Sequence, residues 1–315
     1  MVGNRNMRLE SENYSEKSKI SRVEELNDLS RAIETKKPKR SLELSREAYI
    51  LAQEIDYESG IARSLFRMGR GSWLIGDFEN AISYLFESID ITKNIENKEY
   101  EVNALNVLGN INLDLQNLDI ALKYYMKALK LAKEIECGSI EGDLLNNLGE
   151  IYNSLKEYEI ALRYYRKSID ELDRFGYENE KAVPIFNIGQ VYYKLGRYEL
   201  AKEYSELSLN IARDVNDRIG ESYSLHQLAK VYKKRNQKDE ALACYYKSLE
   251  IFAETEERFH EIEVLIDLHK ILIEQKKYEE AVGYLQRGLK LAKEVKENNM
   301  IAKICSCFAT LYEVI

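Results

Sequence analysis

Alanine recurs along the chain at a fixed interval of 40 residues. The alanines in this register are Ala81, Ala121, Ala161, Ala201, Ala241 and Ala281. A second register, twelve residues earlier, holds mostly glycine: Gly69, Gly109, Gly149 and Gly189, then Ala229 and His269. Registers that stay in phase over six periods are typical of a chain built from repeated supersecondary units.

Apolar residues within one period follow helical spacing. Leu145, Leu148, Gly149 and Tyr152 lie at i, i+3, i+4 and i+7, which makes one stripe of an α-helix. A turn near Lys156 separates this stripe from a second one, and small residues stand where the two helices must approach closely. Each period therefore predicts an antiparallel helix pair, A then B, that buries its apolar faces by stacking on neighbouring pairs.

The segment Leu-Asn-Asn-Leu-Gly-Glu-Ile-Tyr at 145–152, followed by Ala161 and Tyr165, resembles the tetratricopeptide repeat. The resemblance covers about residues 58–315 and, more loosely, 18–57. It implies an all-α fold, a right-handed α-solenoid of antiparallel helix pairs. The usual repeat has 34 residues. The longer period is similar to repeats of bacterial peptide-sensing regulators, kinesin light chains and spindle-orientation adaptors.

The polar residues 1–17 are predicted to form a flexible tail, and residues 18–315 a single solenoid of about seven helix pairs. The first pair is degenerate, and the final repeat contains only its helix A. That last helix presents Ile304, Phe308, Leu311 and Ile315, so we expect part of its apolar face to lack a cover. Two explanations stay open: the natural protein continues beyond this segment, or the face docks on a second copy as a homodimer.

Bulk properties exclude several function classes. The net charge of −8 argues against nucleic-acid binding, because phosphate contacts need concentrated lysine and arginine. No apolar run reaches the roughly 18 residues of a membrane span, and no signal peptide is present, so we expect a soluble cytoplasmic protein without membrane contacts. The histidines and cysteines lack metal-binding spacing. We expect no enzyme, no catalytic residues, no cofactor and no metal.

Binding is predicted on the concave wall of the solenoid, which helix A lines. Asparagine is a mediocre helix former, and its carboxamide matches both the C=O and the N–H of an extended peptide. In the related long-repeat families asparagines contact bound peptides, which the resemblance implies here for Asn106, Asn146 and Asn187. The alternative is that these amides only bond neighbouring helices. The predicted peptide- or partner-binding residues are Arg67, Arg70, Asn106, Asn110, Asn146, Asn147, Glu150, Phe186, Asn187, Gln190, His226 and Lys230.

The sequence thus predicts a regulatory or scaffold module that binds a protein or peptide and holds an extended segment in its concave groove. The alternative is the sensory segment of a larger bacterial signalling protein. Its output domain, a nucleotide cyclase or a transcription regulator, would lie beyond residue 315.

Overall fold

The computed structural model describes residues 2–313, with side chains from residue 16 onward. Within that range the chain forms fifteen α-helices, one 3₁₀ helix and no β-strand. The predicted all-α class of stacked antiparallel helix pairs is confirmed. None of these helices is long and apolar enough to cross a lipid bilayer. The chain divides into two compact units, residues 1–151 and 152–315. The single solenoid over residues 18–315 therefore stays a prediction.

Unit 1 consists of three helix pairs and most of a seventh helix, which ends three residues beyond its boundary. The helices are α1 (Val2–Ile33), α2 (Pro38–Glu54), α3 (Glu58–Leu74), α4 (Phe78–Asn94), α5 (Lys98–Asp114), α6 (Leu118–Glu134) and α7 (Gly138–Ser154). Helix α1 begins at Val2, whereas the side chains of residues 1–15 lie outside the described part. The flexibility of residues 1–17 therefore stays a prediction.

Unit 2 continues the same alternation of A and B helices. The elements are α8 (Tyr158–Phe175), the 3₁₀ helix Glu178–Lys181, α9 (Ala182–Lys194), α10 (Tyr198–Asp214), α11 (Arg218–Lys234), α12 (Lys238–Glu254), α13 (Arg258–Glu274), α14 (Tyr278–Glu294) and α15 (Asn298–Tyr312). Odd-numbered helices are A helices and even-numbered ones are B helices, and α15 has no B partner among the described residues.

The turns between helices share one backbone geometry. From Asp56 to Lys296 a residue in the left-handed region recurs every 20 residues, and only Gly76, Gly176 and Gly196 among these are glycine. The amide of the following residue bonds to the carbonyl five residues earlier, as from Tyr57 N to Ala52 O at 2.9 Å. This is the Schellman arrangement that closes a helix C-terminus. The 40-residue period is therefore two 20-residue halves, each a helix and its turn.

Glycine in the second register permits close contact between helices A and B of unit 1. A Cβ on Gly69 would lie 2.7 Å from Leu85 Cγ, and one on Gly109 would overlap the ring of Tyr125. Tyr125 is fully buried. The prediction that small residues mark the helix crossings is confirmed.

The prediction that Ile304 and Leu311 lie on an uncovered face of the last helix is wrong. Ile304 and Leu311 are fully buried in the core of unit 2, and Phe308 packs partly against it. An A helix contacts the preceding pair with one face and its own B helix with another, and these residues lie on the first. The exposed residues of α15 include Cys305, Ala309 and Tyr312 instead. Ile304 and Leu311 therefore do not offer a homodimer surface, and Ile315 lies outside the described residues.

Candidate functional site

Polar side chains on successive A helices contact one another at a separation of 41 residues. The pairs are Trp73–Asp114 and Asn106–Asn147 in unit 1, and Asn153–Lys194 and His226–Asp267 in unit 2. Because each pair joins one A helix to the next, the side chains lie on a common face. We call this face the helix-A surface of the respective unit.

Two arginines of α3 share one carboxylate of α1 in unit 1. Glu34 accepts hydrogen bonds from Arg67 Nη1 at 3.2 Å and from Arg70 Nη2 at 2.7 Å. Arg67 is 8% exposed and Glu34 is 7% exposed. Burial lowers the pKa of the Arg67 guanidinium, against the opposing effect of Glu34. One carboxylate thus balances two guanidinium groups, which leaves the cluster with a surplus positive charge.

These arginines line a depression of about 430 Å³ in unit 1. Phe66 and Tyr100 also line it, with ring centroids 6.4 Å apart. The Arg67 guanidinium lies 5.2 Å from the centroid of the Phe66 ring, within the range of a cation–π contact. The Nε atoms of Arg63 and Arg67 are buried without a hydrogen-bond partner among the described residues. The depression therefore combines aromatic surface with partly unsatisfied cationic donors.

Three of the predicted asparagines form one network. Asn147 Nδ2 donates to Asn106 Oδ1 at 3.0 Å and to Asn110 Oδ1 at 3.4 Å, and the Tyr125 hydroxyl donates to Asn110 Oδ1 at 2.7 Å. Burial and then the charge of Glu150 raise the pKa of Tyr125, so this hydroxyl stays protonated. The amides thus link α5 to α7, as the structural alternative expects, while the NH₂ groups of Asn106 and Asn110 remain unburied and make no hydrogen bond within the described chain.

A histidine–aspartate pair occupies the helix-A surface of unit 2. His226 Nε2 lies 3.2 Å from Asp267 Oδ2, and Lys270 Nζ lies 3.1 Å from Asp267 Oδ1. Burial acts to raise the pKa of Asp267, but the His226 hydrogen bond and the charge of Lys230 outweigh it, so the pKa lies well below the aspartate range. Burial lowers the pKa of His226. A neutral His226 therefore donates from Nε2 to an ionised Asp267.

Aromatic rings flank this pair. Phe186 lies 6.2 Å from Tyr223, and Tyr223 lies 4.6 Å from His260, measured between ring centroids. The Tyr223 hydroxyl is also within 3.0 Å of His260 Nδ1. Burial raises the pKa of Tyr223 to about 12. The rings of Phe186, Tyr223 and His260 therefore form one row of aromatic contacts in this part of unit 2.

None of the twelve predicted site residues is fully exposed. Arg67, Asn146, Asn187 and His226 are buried, and the half-buried ones are Arg70, Asn106, Asn110, Asn147, Glu150, Phe186, Gln190 and Lys230. The sequence reasoning missed Glu34, Tyr125 and Asp267, which hold these side chains in place. Asp267 is paired with His226 by a 41-residue offset, which the structure shows and the 40-residue period of the sequence does not. The role of the twelve predicted residues in ligand binding stays a prediction.

Among residues 16–313, no group of three or more histidine, cysteine, aspartate or glutamate side chains is arranged to hold a metal ion. Cys137, Cys244, Cys305 and Cys307 are free thiols.

A family model described as tetratricopeptide repeat matches residues 100–172, 180–254 and 234–294, which together exceed half of the chain. The chain belongs to the tetratricopeptide repeat family. The match includes both helix-A surfaces except for the residues on α3, which are Trp73 and the arginine cluster. A comparison with curated protein sequences finds no significant match for this tetratricopeptide repeat chain.

Three solved structures resemble this tetratricopeptide repeat chain in fold. Aspartyl phosphate phosphatase F from Bacillus subtilis has a TM-score of 0.69 at 16% identity, covering 92% of this chain and 75% of that one. A STAND protein with a tetratricopeptide repeat sensor from Pyrococcus horikoshii has 0.68 at 15%, covering 89% and 43%. The Rap conjugation gene regulator of plasmid pLS20, in complex with the Phr* peptide, has 0.61 at 18%, covering 93% and 80%. At these identities the likeness concerns the fold alone.

Proposed function

We propose that this chain is a regulatory binding module that holds an extended peptide or partner segment against its helix-A surface. The observation that carries the proposal is the asparagine network of α5 and α7. The carbonyl oxygens of Asn106 and Asn110 accept hydrogen bonds within the network, whereas their NH₂ groups are left as donors at the surface. Amide donors fixed in this way match the carbonyl groups of a peptide backbone whatever its side chains.

The surroundings of the network support a peptide as ligand. The depression beside Arg67 and Phe66 provides an aromatic and cationic pocket for a side chain in unit 1. A structural neighbour, the Rap conjugation gene regulator, is itself a complex with a peptide. The proposed role is binding and not catalysis, although another neighbour is an aspartyl phosphate phosphatase.

The test begins with peptides selected from a random display library against the immobilised full chain, followed by affinity measurement for each variant. Asn106→Asp keeps the acceptor that Asn147 uses but removes the free NH₂ donor. We expect it to weaken peptide binding about tenfold, the loss of roughly one hydrogen bond. Asn210→Asp, on the exposed face of α10, adds the same charge and should leave affinity unchanged. Equal affinities for Asn106→Asp and wild type would move the site off the helix-A surface.

We propose as a second candidate that the chain is the sensory segment of a larger signalling protein. In its favour, it aligns with only 43% of the STAND protein, whose description names a tetratricopeptide repeat sensor. Sequencing of the transcript decides between the two. Coding sequence for an output domain in frame after Ile315 supports this candidate, and a stop codon there excludes an output domain on that side.

A further inference from the structure

The fifth helix pair, α9 with α10, departs from the pattern of the others at its start. Pro184 stands in the register of Ala104, Leu144 and Ser224. Proline lacks a backbone N–H and its ring clashes with the preceding helical turn, so α9 begins only at Ala182 and residues Glu178–Lys181 form a 3₁₀ helix. Helix α9 has 13 residues, against 17 in α11.

An ion pair near the start of helix A is also altered in this pair. Four other pairs hold a glutamate at this register that a basic residue binds: Glu101 with Lys127 at 3.5 Å, Glu141 with Lys133 at 3.3 Å, Glu221 with Arg213 at 2.9 Å and Glu261 with Arg287 at 2.5 Å. The second pair has Ile61 there. Lys181 replaces the glutamate and pairs with Asp173 and Glu178. Residue 181 is therefore basic where those four pairs have an acid. Position 207 is in the register of Lys127 and Arg287, so a basic residue there would repel Lys181.

Position 207 is a leucine, which is 46% exposed. Every equivalent position in the other full repeats is charged: Glu87, Lys127, Lys167, Lys247 and Arg287. Repulsion from Lys181 explains why the residue is not basic, but it does not explain an exposed leucine. A large apolar side chain is therefore placed where the chain otherwise keeps a charge.

These changes accompany a cavity of about 640 Å³ bounded by α8, the 3₁₀ helix, α9 and α10. Its apolar lining comprises Ile169, Ile185, Ile188, Leu207 and Ile211. The volume falls within the roughly 300–1,000 Å³ of ligand pockets in proteins. Phe186, Asn187 and Gln190 do not line it, so the cavity is separate from the helix-A surface of unit 2.

The charges at the mouth of the cavity favour a cationic neighbour. Of the two basic residues there, Lys181 binds carboxylates, whereas the exposed Arg166 donates to the neutral Tyr192 hydroxyl at 2.8 Å and keeps its charge. Asp170 and Asp214 are exposed and make no ion pair among the described side chains. With the Arg166 guanidinium against the two carboxylates, the accessible charge at the mouth is net negative, around an apolar interior.

We propose that this cavity is a second docking site, which takes an amphipathic segment of a partner protein. The segment inserts side chains of leucine or isoleucine size between α8 and α10, and it places lysine or arginine beside Asp170 and Asp214. Charge complementarity favours such a basic segment over an acidic one.

The test uses two fluorescein-labelled amphipathic peptides with the same leucine face, one with lysine and the other with glutamate at the remaining positions. Fluorescence anisotropy at physiological salt measures their binding to the full chain. We expect saturable binding of the lysine peptide only. Lys181→Glu/Leu207→Lys, which installs the glutamate and lysine that the third, fourth and sixth pairs have at these positions, should bind it at least about tenfold more weakly. Asp170→Asn/Asp214→Asn should reduce affinity for the lysine peptide without affecting folding.

Lys247→Leu is the matched control, because it puts an exposed leucine at the same register of the sixth pair, where α11 starts normally. This variant should bind like wild type, and circular dichroism should show all variants equally helical. Equal binding by wild type and Lys181→Glu/Leu207→Lys would overturn the proposal, as would wild-type preference for the glutamate peptide or no saturable binding of the lysine peptide. Asn106→Asp should leave this binding unchanged, since that residue belongs to the helix-A surface of unit 1.

Discussion

His226 donates a hydrogen bond from Nε2 to Asp267 Oδ2, 3.2 Å away and 41 residues further along the chain. The bond joins α11 to α13, so it links two consecutive A helices in unit 2. His226 is 4% exposed, and its protonation would add a buried positive charge beside Lys230 and Lys270, which already face Asp267. The pair therefore couples the packing of two repeats to pH.

Stability should fall as the pH drops below the ordinary histidine pKa of 6.5. Burial lowers the pKa of His226, His260 and His269 in the folded chain. A group whose folded pKa is depressed binds more protons when unfolded, so its contribution is complete above 6.5 and is lost as the pH falls from there toward the folded pKa. Urea unfolding at a series of pH values from 8 to 5 measures this.

His226→Gln is the informative variant, because its side-chain amide still donates to Asp267 but does not titrate. We expect a shallower loss of stability below pH 6.5 than in wild type, with His260 and His269 supplying the remainder. The lowered pKa of Asp267 acts in a different window, since its contribution is lost only as the pH falls below the ordinary aspartate value of 3.8. An unchanged slope in His226→Gln would show that His226 does not contribute.

The repeat architecture could be predicted from the sequence, because the alanine register and the mostly glycine register stay in phase and mark both the helix pairs and their crossings. The partners of individual side chains could not be. His226 and Asn106 are among the predicted binding residues. Their hydrogen-bond partners, Asp267 and Asn147, lie 41 residues away, which is one repeat plus one residue. That offset depends on how consecutive A helices are shifted along their axes, which the periodicity of a single helix does not encode.

Helix α15 shows a second limit. Its apolar residues follow two stripes, and periodicity alone does not tell which stripe the preceding pair already covers. Ile304 and Leu311 proved to be core residues, whereas Tyr312 is 65% exposed. The chemistry of Pro184 alone predicts that α9 starts late. Prediction of the cavity would also have required the position of Leu207 relative to α8, which the sequence does not contain.

Replacing left-handed turn residues with glycine should stabilise the chain. Lys276, between α13 and α14, has a φ of 60°, where a Cβ costs about 1–2 kcal/mol. Lys276→Gly should therefore stabilise this turn by about 0.5–1 kcal/mol after the entropic cost of glycine is subtracted, which the midpoint of thermal unfolding detects.

Gly196→Ala, at the same turn position between α9 and α10, is the reverse control. Its φ is +74°, and a Cβ would meet no atom within 4 Å. Any loss of stability in Gly196→Ala therefore reports backbone conformation alone. If Lys276→Gly lowered the midpoint, the left-handed turns would not be strained.

The helix crossing of the third pair should not tolerate a methyl group. In Gly109→Ala the new Cβ overlaps the ring of Tyr125, whose hydroxyl is fixed by its hydrogen bond to Asn110. We expect a loss of about 1–3 kcal/mol, as for overpacked cores, measured by urea unfolding. Gly283→Ala is the matched control: its Cβ meets nothing within 4 Å on exposed α14, and the helix should gain up to about 1 kcal/mol. Equal effects at both sites would contradict the role of the crossing.

Glu34 should be among the most sensitive charged residues of unit 1. Glu34→Gln leaves Arg67 and Arg70 without their carboxylate, and Arg67 is 8% exposed. Removing one partner of a buried pair costs far more than the pair contributes, so we expect a loss of about 2–4 kcal/mol. Glu54→Gln breaks the pair of Glu54 with Lys19, whose side chains are 55% and 42% exposed, and should cost less than about 1 kcal/mol. Urea unfolding of both variants beside wild type measures the difference. Similar small losses in the two would mean that water reaches the Arg67 guanidinium when Glu34 is absent, and that the depression in unit 1 opens more readily than its burial indicates.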